Sequence, residues 1–472
     1  MVTVTIVHES SPLVISPLVP LDRWAKRVSR AAQDIPLDGG FAHRMFALSA
    51  RMREAKAQRS RAPFYEALPF GRRCDRCGKR MAAHQDPVEP KKLLCSVCER
   101  RDSKGRQQGK DIRGRFNREF GERPEISSCR ARQPEDLDTL VESAKRKYLA
   151  FLYADGNDIG RLLWKAKHPC QYTNLSKALE DGTQEALFGA LVEVCGAALQ
   201  KENRWPFDII NMGGDDVTLV LQAGYAWEVG VRFLERFEKE MRTRLPGASE
   251  EPLEVTASCG IAIADVRYPM RYFERLASDL LKEAKRWAKR EQGKPRSAIT
   301  FLWLPSPVAG EKAEPLMGFY TRPSAGDWHR KLTARPYDLE HAQKLLDASR
   351  AMRKWPRALR HRWAEALERG VMSSVNLIYY DIARRSEEKR AKMYEALVQV
   401  GKLASSDEEH AGFPAPVWYP VHEDREPFWR TALVDALELA ELEATRCKLR
   451  LNSGKAGMRN PLGGMLCKEA NR

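Results

Sequence analysis

Two adjacent carboxylates, Asp215 and Asp216, follow Gly213 and Gly214 inside the run FDIINMGGDDVTLVL at residues 207–221. Apolar residues on both sides predict the tip of a buried β-hairpin. Glycines permit a tight turn with positive φ and a close approach of backbone to ligand. Side-by-side aspartates repel each other unless cations share the site. A third carboxylate, Asp155, ends the strand-like run KYLAFLYAD, and Asp158 follows in ADGND. If that strand lies beside the hairpin, Asp155 converges with Asp215 or Asp216 on one edge. Converging carboxylates meet the requirement of a two-metal site. Two Mg²⁺ or Mn²⁺ ions held there would activate a 3′-hydroxyl and stabilise a departing pyrophosphate. An Asp-rich surface turn is the alternative.

Cys74, Cys77, Cys95 and Cys98 form two CxxC pairs, in RRCDRCGKR and LLCSVCERR. Each pair supplies two soft ligands from one tight turn, and the spacing predicts a zinc ribbon. Four thiolates leave no open coordination position, so the zinc is expected to be structural. The other cysteines (Cys129, Cys170, Cys195, Cys259, Cys447 and Cys467) are scattered. That usage predicts free thiols in a reducing cytoplasm rather than a disulfide framework.

Elements must position these groups. From residue 147 the pattern predicts β-α-β-β-α-β followed by a further helix and strand. This is a split βαβ, ferredoxin-like unit with helices on one face of an antiparallel sheet. The expected organisation is a mainly helical region at 1–70, the ribbon at 71–103 and a basic linker at 104–145. A palm-like domain at 146–305, a helical domain at 306–450 and a basic flexible tail at 451–472 follow. The fold class is therefore α+β. In the linker, arginines interleave with Phe116 and Phe120, which suits nucleic-acid backbone contacts and base stacking; a solvated linker is the alternative. The run PFWRTALVDALELAELEATRCKLRL, in the last part of the chain, reads as helix.

The chain has 472 residues, 43% hydrophobic and 31% charged, the mix of a globular protein. Its net charge of +16 favours a polyanionic partner, nucleic acid first. No apolar run is long enough to cross a membrane, and no membrane partner is expected. The first residues lack a basic region ahead of their apolar part and read as a short strand or extended arm rather than a secretory signal.

GGDD after an apolar strand, ADGND before a helix, and the downstream VTASCGIAIA resemble the palm domain shared by GGDEF nucleotide cyclases and the large subunit of type III CRISPR effector complexes. The stretch ASDLLKEAKRWAKREQGKPRSAI resembles the cyclase helix that brings a lysine to the triphosphate. GGDD in place of GGDEF, the ribbon ahead of it and the helical domain behind it favour the CRISPR family. The resemblance implies ATP as substrate and cyclic oligoadenylate as product. It implies metal-binding and catalytic roles for Asp155, Asp215 and Asp216. It gives Gly213 and Gly214 the turn against the nucleotide and Lys285 the phosphate contact, with Lys282 and Lys289 a turn away on either side. Guide RNA, target RNA and other effector subunits, met through the helical domain, are the implied partners. The family often reads Asp-Gly-Asp-Asn where this chain has Asp155-Gly156-Asn157-Asp158. No His-Asp dipeptide occurs, so no HD nuclease domain is expected. The region before the ribbon is too short for a first palm domain, so a dimer partner or another subunit is expected to complete the nucleotide site. A GGDEF-like cyclic dinucleotide synthase acting as a homodimer, and an inactive RNA-binding scaffold, are the alternative readings.

Overall fold

The computed structural model describes residues 4–5, 14–15, 41–57, 71–87, 89–120, 134–164, 166, 168–202, 204–245, 254–290, 296–306, 312–323, 328–404, 416–423 and 426–446. The tail at 451–472 and most of the first 40 residues lie outside them, although Val4–Thr5 pairs with Val14–Ile15 as the expected short strand.

Strand β1 (Tyr148–Gly156) is apolar on both faces: Ala150, Leu152 and Ala154 enter one cluster, Leu149 and Phe151 another. Such a strand needs neighbours on both edges and cover on both sides. It pairs antiparallel with β3 (Asp216–Gln222) and with β4 (Ala257–Asp265). Strand β2 (Phe207–Gly213) is the hairpin partner of β3, and β5 (Ala298–Trp303) lies parallel to β4. The order β5-β4-β1-β3-β2 contains the ferredoxin-like arrangement expected from sequence, extended by β5 and, on the outer edge of β5, by the short strand Tyr337–Asp338. The first strand does lie beside the hairpin, with Ala154 opposite Val217.

Helix α2 (Ile159–Trp164) follows β1, and helices α3 (Pro169–Glu202) and α4 (Ala223–Arg244) cover the face carrying Ala150 and Leu152. Helix α5 (Met270–Arg290) packs Phe273, Leu276, Ala277 and Leu280 against the opposite face. Helices thus lie on both faces, not one as the sequence reading had it. The reason is visible in β4, where eight successive residues, ASCGIAIA, are buried, a pattern that one covered face cannot satisfy. A Cβ on Gly260 would stand 2.4 Å from the Leu281 backbone nitrogen, so α5 lies directly on the strand.

Residues 104–120 are neither linker nor open loop. They continue α1 (Ser96–Phe120), a 25-residue helix that starts within the ribbon. Ile112 and Phe116 are buried on it. The Phe116 ring sits 5.1 Å from Phe188 and 5.0 Å from Trp205, so it belongs to the core and is not available to stack on bases. An apolar pair at i, i+4 inside a basic stretch anchors the helix, and the charge count concealed it. The Phe120 side chain lies outside the described residues.

The last part of the described chain is mostly helical, as expected: α6 (Leu339–Arg353), α7 (Arg357–Arg369), α8 (Val371–Ala383), α9 (Glu387–Gly401) and α10 (Leu433–Glu443). Their apolar stripes join the α3–α4 side of the palm in one cluster. Short strands differ. Thr321–Pro323, His329–Lys331 and Tyr419–Glu423 form a four-stranded sheet with Glu426–Arg430, the strand in which the run read as a helix from Pro427 begins. The aromatic residues and Pro427 of Glu426–Arg430 suit a short strand better than a helix.

Candidate active site and zinc ribbon

Cys74 and Cys77 sit on a turn closed by the Gly78 N–H, which donates to the Cys74 carbonyl at 2.9 Å. Gly78 has φ +63°, a conformation that favours glycine. Cys95 and Cys98 come from the start of α1. The hairpin His84–Gln85 and Leu93–Leu94 holds the two turns together. The four sulfurs lie within 4.8 Å of one another, with Cys77 and Cys95 at 3.9 Å. A tetrahedral zinc with bonds of about 2.3 Å spaces its sulfurs at about 3.8 Å, so the donor set fits. Backbone N–H groups of Lys79 and Arg80 lower the Cys77 thiol to about 6, which favours the ligating thiolate.

The palm site is built by the sheet. Asp155 is the penultimate residue of β1 and Asp216 the first of β3. Gly213 pairs with Asp216, so Gly214 and Asp215 form a two-residue turn. Gly214 has φ +64°, the left-handed first position such a turn requires. Nothing lies within 4 Å of where a Cβ would stand on Gly213 or Gly214, leaving room for a ligand. At Gly156 a Cβ would stand 2.9 Å from Asp215 Oδ2 and 2.5 Å from Ile159 Cγ1. Only glycine lets the Asp215 carboxylate come so close to the end of β1.

Asp155 is the hub. Its carboxylate lies close enough to those of Asp215 and Asp216 to perturb both. Burial, then the Asp155 charge, raises Asp215 to about 6. Burial, then contact with Asp155 and the charge of Asp215, raises Asp216 to about 7. From α5, Lys285 donates to Asp155 and, at 2.8 Å, to the Gly156 carbonyl. One ammonium does not balance three carboxylates. This oxygen-only set suits a hard divalent ion such as Mg²⁺ or Mn²⁺. It is looser than the ribbon: among the described residues, only the four thiolates form a group of three or more candidate ligands with all donor atoms within 4.8 Å.

The other expected residues divide. Lys282 is not brought to the carboxylates; its ammonium pairs with Asp279 at 3.1 Å and its side chain is 67% exposed. Lys289 donates to Asp158 at 2.7 Å. That hydrogen bond holds the Asp158 carboxyl below its usual range. The second carboxylate of ADGND therefore faces a lysine rather than Asp155.

Asn157 and Tyr153 were missed by sequence reasoning. Asn157 Nδ2 donates to Thr256 Oγ1 at 3.0 Å and to the Arg296 carbonyl at 3.1 Å. Its Oδ1 accepts from Ser258 Oγ at 2.9 Å, which clasps the end of β1 to β4. Burial and the charges of Asp216 and Asp155 push the Tyr153 phenol up. The one available signal was its place two residues before Asp155, on the same face of a strand. Beside the clasp a cavity of about 310 Å³ is lined by Asn157, Asp158, Arg161, Thr256, Lys289 and Arg296.

Residues 148–294 match the family model described as Cas10/Cmr2, second palm domain. No curated protein matches the chain. Among solved structures, a Csm1–Csm4 cassette in complex with cA4 shares 15% identity over 65% of this chain and 38% of that one, with a TM-score of 0.37. A Csm1–Csm4 subcomplex of the type III-A CRISPR–Csm interference complex shares 17% over 44% and 25%, with a TM-score of 0.27. The GGDEF domain of TpbB (YfiN) from Pseudomonas aeruginosa shares 17% over 36% and 83%, with a TM-score of 0.24. The matches span only 38% and 25% of the length of these two Csm1–Csm4 chains. The assignment rests on the family match, whose segment holds Asp155, Asp215, Asp216 and Lys285. Residues 148–294 are thus similar to the second palm domain of Cas10/Cmr2.

Proposed function

We propose that the chain is a palm nucleotidyltransferase that joins AMP units from ATP, 3′ to 5′, into cyclic oligoadenylates. The observation that carries this reading is the convergence of Asp155, Asp215 and Asp216 under the open Gly213–Gly214 turn, with Lys285 at their edge. The family match adds weight, since it falls on the same segment.

In this reading the 3′-oxygen of one nucleotide bonds to the α-phosphorus of the next. The bond from that phosphorus to its bridging oxygen breaks, and pyrophosphate leaves. Asp155, Asp215 and Asp216 would hold two divalent ions, which when bound supply charge for the attacking and leaving oxygens. With the ions bound the three carboxylates would be ionised, and the proton of the 3′-hydroxyl would pass to solvent water. Lys285 neutralises Asp155 and offers an ammonium to phosphate oxygens. Arg161, Lys289 and Arg296 give the adjoining cavity an excess of positive charge over Asp158 and Glu254 for the rest of the triphosphate. The Asn157 clasp keeps β1 and β4 in register beneath the reaction. The ribbon would hold one structural zinc through Cys74, Cys77, Cys95 and Cys98.

The same reading places the chain in an RNA-guided antiviral assembly, with guide and target RNA as partners and the α6–α10 region facing other subunits. The net charge of +16 supports an RNA partner. Incubation of the purified chain with each nucleoside triphosphate and Mg²⁺ or Mn²⁺, followed by mass spectrometry, tests the chemistry. Oligoadenylates that disappear in the Asp215→Ala, Asp216→Ala variant are expected. A cyclic dinucleotide as the product would overturn the oligoadenylate reading in favour of a GGDEF-like synthase.

A further inference from the structure

Strand register sets a second row of side chains behind the carboxylates. Tyr153 on β1 pairs with Thr218 on β3, and Thr218 pairs in turn with Asn211 on β2. Directly paired residues face the same side of a sheet, so these side chains form one cross-strand row. Tyr153 and Thr218 stand two residues from Asp155 and Asp216 on their strands. The row is therefore on the carboxylates' face, roughly 7 Å along the strands. Tyr153 and Thr218 are partly exposed and Asn211 is exposed, whereas Gly260, next in the row on β4, is covered by α5. A register shift between Ile209 and Asn211 sets Asn211 opposite Thr218. In an unshifted register Ile210 would take that place and Asn211 would face the other side of the sheet, opposite Val217.

A nucleotide with its phosphates at the carboxylates must lay its sugar and base within a few ångströms of them. Resting on the palm reading above, we propose that the Tyr153–Thr218–Asn211 row is the floor beneath the sugar and base of the substrate, and that Asn211 makes the site choose adenine. A carboxamide offers one acceptor and one donor group side by side. Adenine presents the complementary pair, the N6 amino group and N7. Guanine presents two acceptors, O6 and N7, on the same edge and asks for two donors, as an arginine provides. Asn211 lies at the open edge of the row, where a base edge has access to it.

The test is equilibrium binding of non-hydrolysable ATP and GTP analogues to the full chain in Mg²⁺, by calorimetry. The wild-type chain should prefer the ATP analogue by about 10-fold or more. Asn211→Gln should keep the preference, Asn211→Ala should abolish most of it, and Asn211→Arg should turn it towards the GTP analogue. An unchanged preference in the Ala and Arg variants would overturn the role of Asn211. If the Asp215→Ala, Asp216→Ala variant still lost Mg²⁺-dependent binding, the palm reading would survive that result. A wild-type chain that bound neither analogue would remove both.

Discussion

Asp215 and Asp216 are costly to leave ionised beside Asp155, and the cost has a sign that pH can read. Their carboxyls are raised to about 6 and about 7, so between about pH 4 and 7 the native chain binds more protons here than the unfolded chain. Stability from these groups is greatest below pH 4 and is lost as pH rises through the folded values. Replacing both by Asn removes that loss. Thermal unfolding should show the Asn variant level with the wild type near pH 4 and more stable by about 1 kcal/mol at pH 7.5. Solvent contact at both carboxylates keeps the gain below what the full shifts would give. Mg²⁺ should raise the wild-type midpoint and leave the variant unmoved. Asp158 gives the opposite expectation for activity. Because it faces Lys289, Asp158→Asn should keep turnover within a few-fold, whereas Asp155→Asn should cost about 100-fold or more. The carboxylate motif was legible because its chemistry occupies consecutive positions. Asn157 and Tyr153 were not, since their roles depend on β4 and β3 lying beside β1, which no local pattern states.

At the scale of elements, α1 joins the ribbon to the palm core through Phe116. The ring is 1% exposed and touches Phe188, Trp205 and Phe207. Phe116→Ala should destabilise the chain by about 3–5 kcal/mol in denaturant unfolding, far more than loss of an exposed aromatic would. A nucleic-acid role for that ring predicts a small stability change instead. The ribbon should carry about one zinc per chain, and Cys77→Ser should lose it along with protease resistance of residues 71–103. The strands of the palm were readable from apolar runs and the helices from their spacing. The second covered face was written in β4 as an unbroken apolar run, yet it reads equally well as a strand of unknown cover. Glu426–Arg430 escaped because a strand of five residues carries too little periodicity to outweigh the helical stretch that follows it.

Across the whole molecule, a buried ion cluster ties the palm sheet to the last helix. Arg335 is fully buried; it pairs with Asp435 at 3.0 Å and with Glu438, and donates to the Phe301 carbonyl of β5 at 3.0 Å. Asp435 also accepts from Thr333 Oγ1 at 3.0 Å. Arg335→Leu would leave Asp435 buried without its cation and should cost about 3–5 kcal/mol, read by the same denaturant transition. Nothing in the sequence marks this pair, whose members are 100 positions apart. The central claim, however, is that Asp155, Asp215 and Asp216 hold divalent ions beneath a nucleotide. The most direct measurement is electron paramagnetic resonance of Mn²⁺ titrated into the zinc-loaded chain with a non-hydrolysable ATP analogue. The account predicts saturable Mn²⁺ sites that tighten with the analogue and vanish in the Asp215→Ala, Asp216→Ala variant while zinc stays bound. Equal Mn²⁺ uptake by the wild type and that variant would contradict it.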